Sequence, residues 1–369
     1  MIEEHRGYLR DRHRIAAYDR ALRSLVPADA VVVDLASGTG ILGMLACRAG
    51  AARVYAIEKE GIAGLARDIA RANGLADAIR NIRGSAASVT LPELAAVACC
   101  DQMGPFGIDA GVIELSQLAR SRFLAQDGRF MPHRLELWLA AVEQGRLQER
   151  LGFWNTQPAR FDFSPVTDVA ANSPAHVDLE PIDLVSEPVC AATLDLMADV
   201  ALPVTMTTTL RASRRGTLHG LGGWFTAWLA PGVSMTNSPV AIDRIRRRNL
   251  FLPLGAPLAI EAGTAIDVRV QVRPAEGMYA WEVRVNGREP IRRSSLRALM
   301  LDRDDLLRTH PGNRPTLSRE GEATLTVLRL CDGQRTVAEI EHAAFAGHRD
   351  LFVTEESAAA FVADVLARA

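Results

Sequence analysis

Apolar positions at Tyr8, Ile15, Tyr18, Leu22 and Leu25 recur at helical spacing and predict an amphipathic helix over residues 1–26, ended by Pro27. The period then changes. VVVDL at 31–35 is a continuous β-branched run, the pattern of a strand buried on both faces. A glycine-rich turn, ASGTG, leads into a helical stretch that stops at Gly50. VYAIE at 54–58 is a second buried strand, residues 60–73 a second helix stopped by Asn73-Gly74, and AAVACC at 95–100 a later strand. Strands alternating with helices in this order predict a doubly wound parallel sheet.

The texture changes after Pro132. RLELWLAAVE alternates as a strand does, residues 157–190 are rich in Pro, Asp and Ser, and 191–211, 223–230 and 265–286 read as strands. VNG at 285–287 is a hairpin signal. From about residue 296 the pattern is helical again. RALMLDRDDLLR reads as a helix and HPGNRP as a linker. Two or three amphipathic helices follow over 318–342 and 354–368, with helix-start residues at Ser318 and Thr354. The expected order is an α/β Rossmann-like domain over 1–130, a β-barrel domain over 131–295 and a small helical domain over 296–369.

Composition narrows the classes. The 369 residues are 48% hydrophobic and 23% charged, an ordinary globular balance that excludes global disorder. The formal net charge of −2 gives no bulk attraction for nucleic acid. Lys59 is the only lysine, so the other 41 cations are arginines and a single arginine carries little functional information. No run of 18 apolar residues exists, and the charged N-terminus lacks the apolar core of a signal peptide. The five cysteines lack metal-ligand spacing and suit a reducing compartment. These features predict a cytoplasmic protein with no membrane or nucleic-acid partner and no metal.

The stretch that carries chemistry is Asp34-Leu35-Ala36-Ser37-Gly38-Thr39-Gly40, with Glu58 closing the next strand. Gly38 and Gly40 let the backbone turn sharply and approach a ligand. An acid at the end of the second strand can accept ribose hydroxyls. GTGILG also fits the dinucleotide fingerprint, but Asp34, four residues before the first glycine, would repel a pyrophosphate. A carboxylate there suits a cationic ligand, and the pattern favours S-adenosyl-L-methionine over a nicotinamide or flavin cofactor. A structural turn without a ligand is the remaining reading.

With these residues in view, the sequence from about 5 to about 285 resembles the protein arginine methyltransferase family. His5-Arg6-Gly7-Tyr8-Leu9-Arg10-Asp11-Arg12-His13-Arg14 with Tyr18 is similar to the family's helix over the cofactor. VVVDLASGTGILGMLACRAGAARVYAIEKE is similar to its nucleotide-binding segment, RGSAASVTLPE to the adenine-contacting segment, and FMPHRLELWLAAVE to the crossover into its barrel. The resemblance implies that His5 and Arg14 hold the methionine carboxylate of S-adenosyl-L-methionine. It implies that Asp34, Gly38 and Gly40 shape the floor, that Glu58 binds the ribose, and that Ala87 gives a backbone contact beside adenine. It also implies a homodimer.

Departures from the family include Ala87, where an acid is common beside adenine, and are larger on the acceptor side. The resemblance implies a hairpin with two glutamates that grip a guanidinium. Here Asp101 stands at the first, Ala110 at the second, and Asp109 is adjacent. The family's Thr-His-Trp loop is replaced by Ile245-Arg246-Arg247. Losing one acid and shortening the other weakens the grip on arginine, since each charge-assisted hydrogen bond contributes about 1.5–3 kcal/mol. Asp101 and Asp109 are the candidate catalytic acids, Asp101 as a general base or as a group that positions the acceptor.

The segments TLSREG at 316–321 and LCDGQRTVAEI at 330–340 resemble PqqD-like modules, which grip a leader peptide by strand addition. The expectation is therefore methylation of a nitrogen or oxygen of a peptide or peptide-derived natural product. The alternatives are arginine methylation with Asp101 and Asp109 or Glu114 replacing the glutamates, and a non-catalytic subunit that binds the cofactor or a peptide.

Overall fold

The structure is a computed structural model that describes residues 2–368. It divides into one unit that ends at Leu299 and another that begins at Met300.

The first unit opens with two helices where the periodicity predicted one, α1 (Ile2–Arg10) and α2 (Arg12–Leu25). Asp11 breaks the run because its carboxylate accepts the Arg14 N–H at 3.2 Å, capping α2 from an extended backbone. The parallel sheet follows as β1 (Val31–Leu35), α3 (Ile41–Arg48), β2 (Arg53–Glu58), α4 (Ile62–Ala72), β3 (Ile79–Arg83), β4 (Ala95–Cys100), α5 (Val112–Leu118) and β5 (Leu124–Met131). Its strand order is β3-β2-β1-β4-β5, all parallel, so the order reverses between β1 and β4. A reversal of this kind opens a crevice at the carboxyl ends of the strands.

The second half of this unit is antiparallel. It contains β6 (Arg134–Val142), α6 (Gly145–Gly152), α7 (Val166–Ala171), β7 (Ala175–Val177), β8 (Val189–Asp195), β9 (Val204–Arg211), β10 (Gly216–Ala230), β11 (Val233–Thr236), β12 (Asn249–Ile260), β13 (Ala265–Arg273), β14 (Met278–Val285) and β15 (Ile291–Ser294). One sheet runs β7-β12-β10-β6-β8 with β11 on β10, the other β15-β14-β13-β9. The buried Trp281 of β14 donates its indole N–H to the Pro253 carbonyl of β12 at 2.8 Å and ties the two sheets together. These sheets make the barrel-like part of the fold.

One large hydrophobic core runs through both halves, with a smaller cluster around Trp224 and Phe251 in the antiparallel half. Helix α2 joins them: Ala17, Tyr18, Ala21 and Leu22 are buried, and the helix packs against α3, β10 and β11. Each fully buried large side chain contributes about 1.5–3 kcal/mol relative to exposure, enough to fix where α2 sits.

The unit from Met300 onwards is helical: α8 (Arg303–Arg308), α9 (Arg319–Leu330), α10 (Val337–Gly347) and α11 (Glu355–Arg368). The expected helix over RALMLDRDDLLR begins only at Arg303, where Asp302 and Asp305 form a capping box. Ser318 caps α9 and a Thr336–Glu339 box caps α10, which separates the stretch 318–342 into two helices. Val327, Ile340, Ala344, Val362 and Val365 form the center of this unit. No strand occurs among its described residues, so strand addition has no sheet edge to use there. Across the described residues, no helix is long and apolar enough to cross a membrane, and no group of three or more His, Cys, Asp or Glu side chains is placed to hold a metal.

Candidate active site

A cavity of about 1070 Å³ lies at the carboxyl ends of β1, β2 and β4, bounded by α1, α2, α5 and the 246–248 loop. Three neighbouring strands deliver acids to its floor: Glu58 ends β2, Asp34 lies one residue from the end of β1, and Asp101 follows β4.

The glycine turn is shaped around two of these acids. Glu58 is buried, and its carboxylate accepts the Gly38 N–H at 2.8 Å and the Glu60 N–H at 3.0 Å. Asp34 is buried and accepts the Gly43 N–H at 2.9 Å through Oδ2, while Oδ1 has no protein partner. Burial pushes its carboxyl up to about 7, the Gly43 N–H opposes the rise, and the charge of Glu58 adds to it. Gly38 has a φ of +55°, and a Cβ there would meet His5 Cε1 at 2.8 Å. His5 therefore closes down on the turn from α1. Gly40, at φ +80°, is the left-handed residue preceding α3 and does not line the cavity.

The other end is built on Asp101. The Tyr18 hydroxyl lies 3.0 Å from Asp101 Oδ1 and 3.1 Å from the Cys100 carbonyl, donating its proton between them. Arg14 forms an ion pair with Asp101 Oδ2, and Arg247 lies 3.5 Å from the same oxygen. Arg14 is buried with its Nε and Nη1 unpaired, under the Tyr8 ring at 4.6 Å. Two unpaired buried N–H groups of a guanidinium are costly unless a ligand acceptor reaches them. Glu114 of α5 also reaches the cavity, with both carboxylate oxygens buried and unpartnered by protein.

Cavity and sequence expectations agree in part. His5, Arg14, Asp34, Gly38, Glu58 and Asp101 line one cavity, together with Ala86. Ala87 is exposed and outside it. Asp109 is also outside it. Its Oδ1 accepts the Phe106 N–H at 3.1 Å, beside Tyr279, and burial pushes its carboxyl up. A side chain at Gly104 would fall on the Asp109 carboxylate, which accounts for the turn of the loop around it. Asp109 thus braces the 104–109 loop from behind. Asn237 fixes the same loop from β11's end, donating to the Pro105 carbonyl at 2.8 Å.

Periodicity did not reveal the partners of Asp101. Tyr18 reads as a core residue of α2, and Arg247 is one of three consecutive arginines in an arginine-rich chain. The one available signal was Asp11, three residues before Arg14 and of the type that starts helices.

The residues fit S-adenosyl-L-methionine. A buried oxygen of Asp34, the buried hydroxyl of Ser37 and two N–H groups of Arg14 have no protein partner, and all three residues border the cavity. That set offers acceptors to a cation and donors to a carboxylate.

Residues 133–280 match the arginine methyltransferase oligomerization subdomain. The chain is 29% identical over 308 residues to protein arginine N-methyltransferase 1 of Schizosaccharomyces pombe, covering 78% of this chain and 89% of that one. It is 29% identical over 276 residues to arginine N(omega)-methyltransferase of Streptomyces achromogenes subsp. streptozoticus, covering 72% and 75%. Among solved structures it is similar to the Trypanosoma brucei PRMT1 enzyme-prozyme heterotetrameric complex with AdoHcy, with a TM-score of 0.72 and 24% identity over 79% of this chain and 98% of that one.

Proposed function

We propose that this chain, an arginine-methyltransferase-like enzyme that uses S-adenosyl-L-methionine, methylates a nitrogen or oxygen of a peptide or peptide-derived natural product. The observation that carries the reading is one cavity with two unlike ends: Asp34, Gly38 and Glu58 at one, and an Asp101 already held by Arg14, Arg247 and Tyr18 at the other.

Bound there, the cofactor supplies an electrophilic methyl group. Glu58, held by two backbone N–H groups, presents its remaining lone pairs to the ribose hydroxyls. The unpaired Nε and Nη1 of Arg14, with His5, receive the carboxylate of the amino-acid end. Asp34 forms the floor beneath the cation. Asp101 has both oxygens engaged, so its role is to orient the acceptor, whose lone pair must line up with the methyl group. Ala110 stands at the cavity where the second acid of a guanidinium clamp would be and Asp109 lies outside it, so a second acid would come from Glu114 of α5. The match over 133–280 supports assembly into a homodimer. The names of the relatives support a second reading, arginine methylation with the unpartnered Glu114 as the second acid.

Calorimetric titration of S-adenosyl-L-methionine into wild type and Glu58→Ala tests the cofactor end. A lost charged hydrogen-bond acceptor costs about 1.5–3 kcal/mol, so the variant should bind at least about tenfold more weakly. Equal binding would overturn the assignment of Glu58. Methylarginine as the only product from a mixed peptide pool would overturn the preferred acceptor.

A further inference from the structure

One wall of the cavity is lined by Arg246, Arg247 and Arg248, where the sequence places three arginines in a row. Their backbone is fixed. The Ile245 N–H donates to the Thr236 carbonyl at 2.8 Å, the Arg246 N–H to Asp11 Oδ2 at 2.6 Å, and the Arg248 carbonyl accepts from Asn237 at 2.9 Å. The loop is therefore a scaffold that presents these side chains from set positions. Arg247 is committed to Asp101. Arg246 and Arg248 reach the cavity and have no carboxylate partner among the described residues. By contrast Arg244, in the same run, is paired with Glu180 at 2.7 Å.

Arg14 and Arg247 share Asp101, and Glu4 and Glu114 also line the cavity, so the cations left without a carboxylate on this wall are the exposed Arg246 and Arg248. A carboxylate entering beside Arg246 and Arg248 meets free donors, whereas a guanidinium or ammonium meets like charge there. Guanidinium groups bind carboxylates in a forked, two-bond geometry suited to this task.

We propose that the acceptor end of this cavity selects an acidic peptide segment, with an Asp or Glu carboxylate of the substrate held by Arg246 and Arg248. This deepens the methyltransferase reading and rests on it. It assigns the arginine run a specificity role.

The test uses the full chain loaded with S-adenosylhomocysteine, with hexaglutamate and hexaarginine as probes in calorimetric titrations. Hexaglutamate should bind more tightly than hexaarginine. Arg246→Gln/Arg248→Gln should weaken hexaglutamate at least about tenfold, the loss of roughly one charge-assisted hydrogen bond. S-adenosylhomocysteine affinity should stay within twofold, which also shows that the variant is folded. Arg269→Gln/Arg273→Gln, on β13 outside the cavity, should leave hexaglutamate binding unchanged. Equal loss in both double variants, or no loss in either, overturns the proposal. So does tighter binding of hexaarginine that depends on Glu114. A folded wild type that binds no S-adenosylhomocysteine overturns the methyltransferase reading itself, whereas cofactor binding without hexaglutamate binding overturns only the acidic-substrate proposal.

Discussion

Asp11 Oδ2 accepts the Arg246 N–H at 2.6 Å, joining the break between α1 and α2 to the arginine loop of the barrel-like half, 235 residues away. The other oxygen of the same buried carboxylate caps α2. One side chain therefore sets the angle of the helix that covers the cavity and the position of the wall opposite.

Asp11→Ala should remove both functions. Losing a helix cap costs about 1 kcal/mol, and leaving the Arg246 N–H unpaired adds about 1–3 kcal/mol. Urea unfolding should show a destabilisation of about 2–4 kcal/mol, the sum of those two ranges. Hydrogen exchange should rise in both 2–14 and 244–249. Faster exchange in only one of the two segments would contradict the coupling.

Asp101→Asn tests the shared carboxylate. Arg14 and Asp101 are both nearly buried, so removing the negative charge leaves two guanidiniums facing each other without compensation. Breaking a buried pair in this way costs about 3–5 kcal/mol. Adding Arg247→Met should recover part of that loss. If the double variant is less stable than Asp101→Asn alone, Arg247 does more in the fold than balance Asp101.

Asp34 gives the pH test. Its carboxyl is held up at about 7 by burial, above the ordinary aspartate value. Between those two values the folded state holds a proton that the unfolded state releases, so Asp34 subtracts stability as pH rises through the interval. In the cofactor-free protein, Asp34→Asn cannot ionise. Its stability relative to wild type should climb from about pH 4 to about pH 7 and level off above, as linkage requires. Parallel profiles for the two proteins would show that Asp34 titrates normally.

The cofactor half was legible because its signals are local. VVVDL can be satisfied only by burial on both faces, and the glycines that follow have the positive φ values that the turn needs. Acids at strand ends then fall at one edge of the sheet without further information. The misses have long-range causes. The helix break at Asp11 interrupts a run with helical periodicity, and its second partner lies in a loop far along the chain. Strand β12 contains Pro253, Gly255 and Pro257, which argue against a sheet strand, yet it pairs with β10 through a register shift near Gly220 and accepts the Trp281 N–H at Pro253. Asp109 sits next to the position an acid should hold, and only the packed turn at Gly104 and Gly107 decides that it points to the back of the loop.

Glu58, Asp34 and Asp101 come from the ends of β2, β1 and β4, which are adjacent in that order. Paired strands lie about 4.8 Å apart, so the outer two acids are rooted roughly 10 Å apart by backbone hydrogen bonding alone. The sheet acts as a ruler. Side-chain replacements at its edge can alter which groups are recognised at each mark, while the distance between the Glu58 end and the Asp101 end stays fixed by the strand spacing.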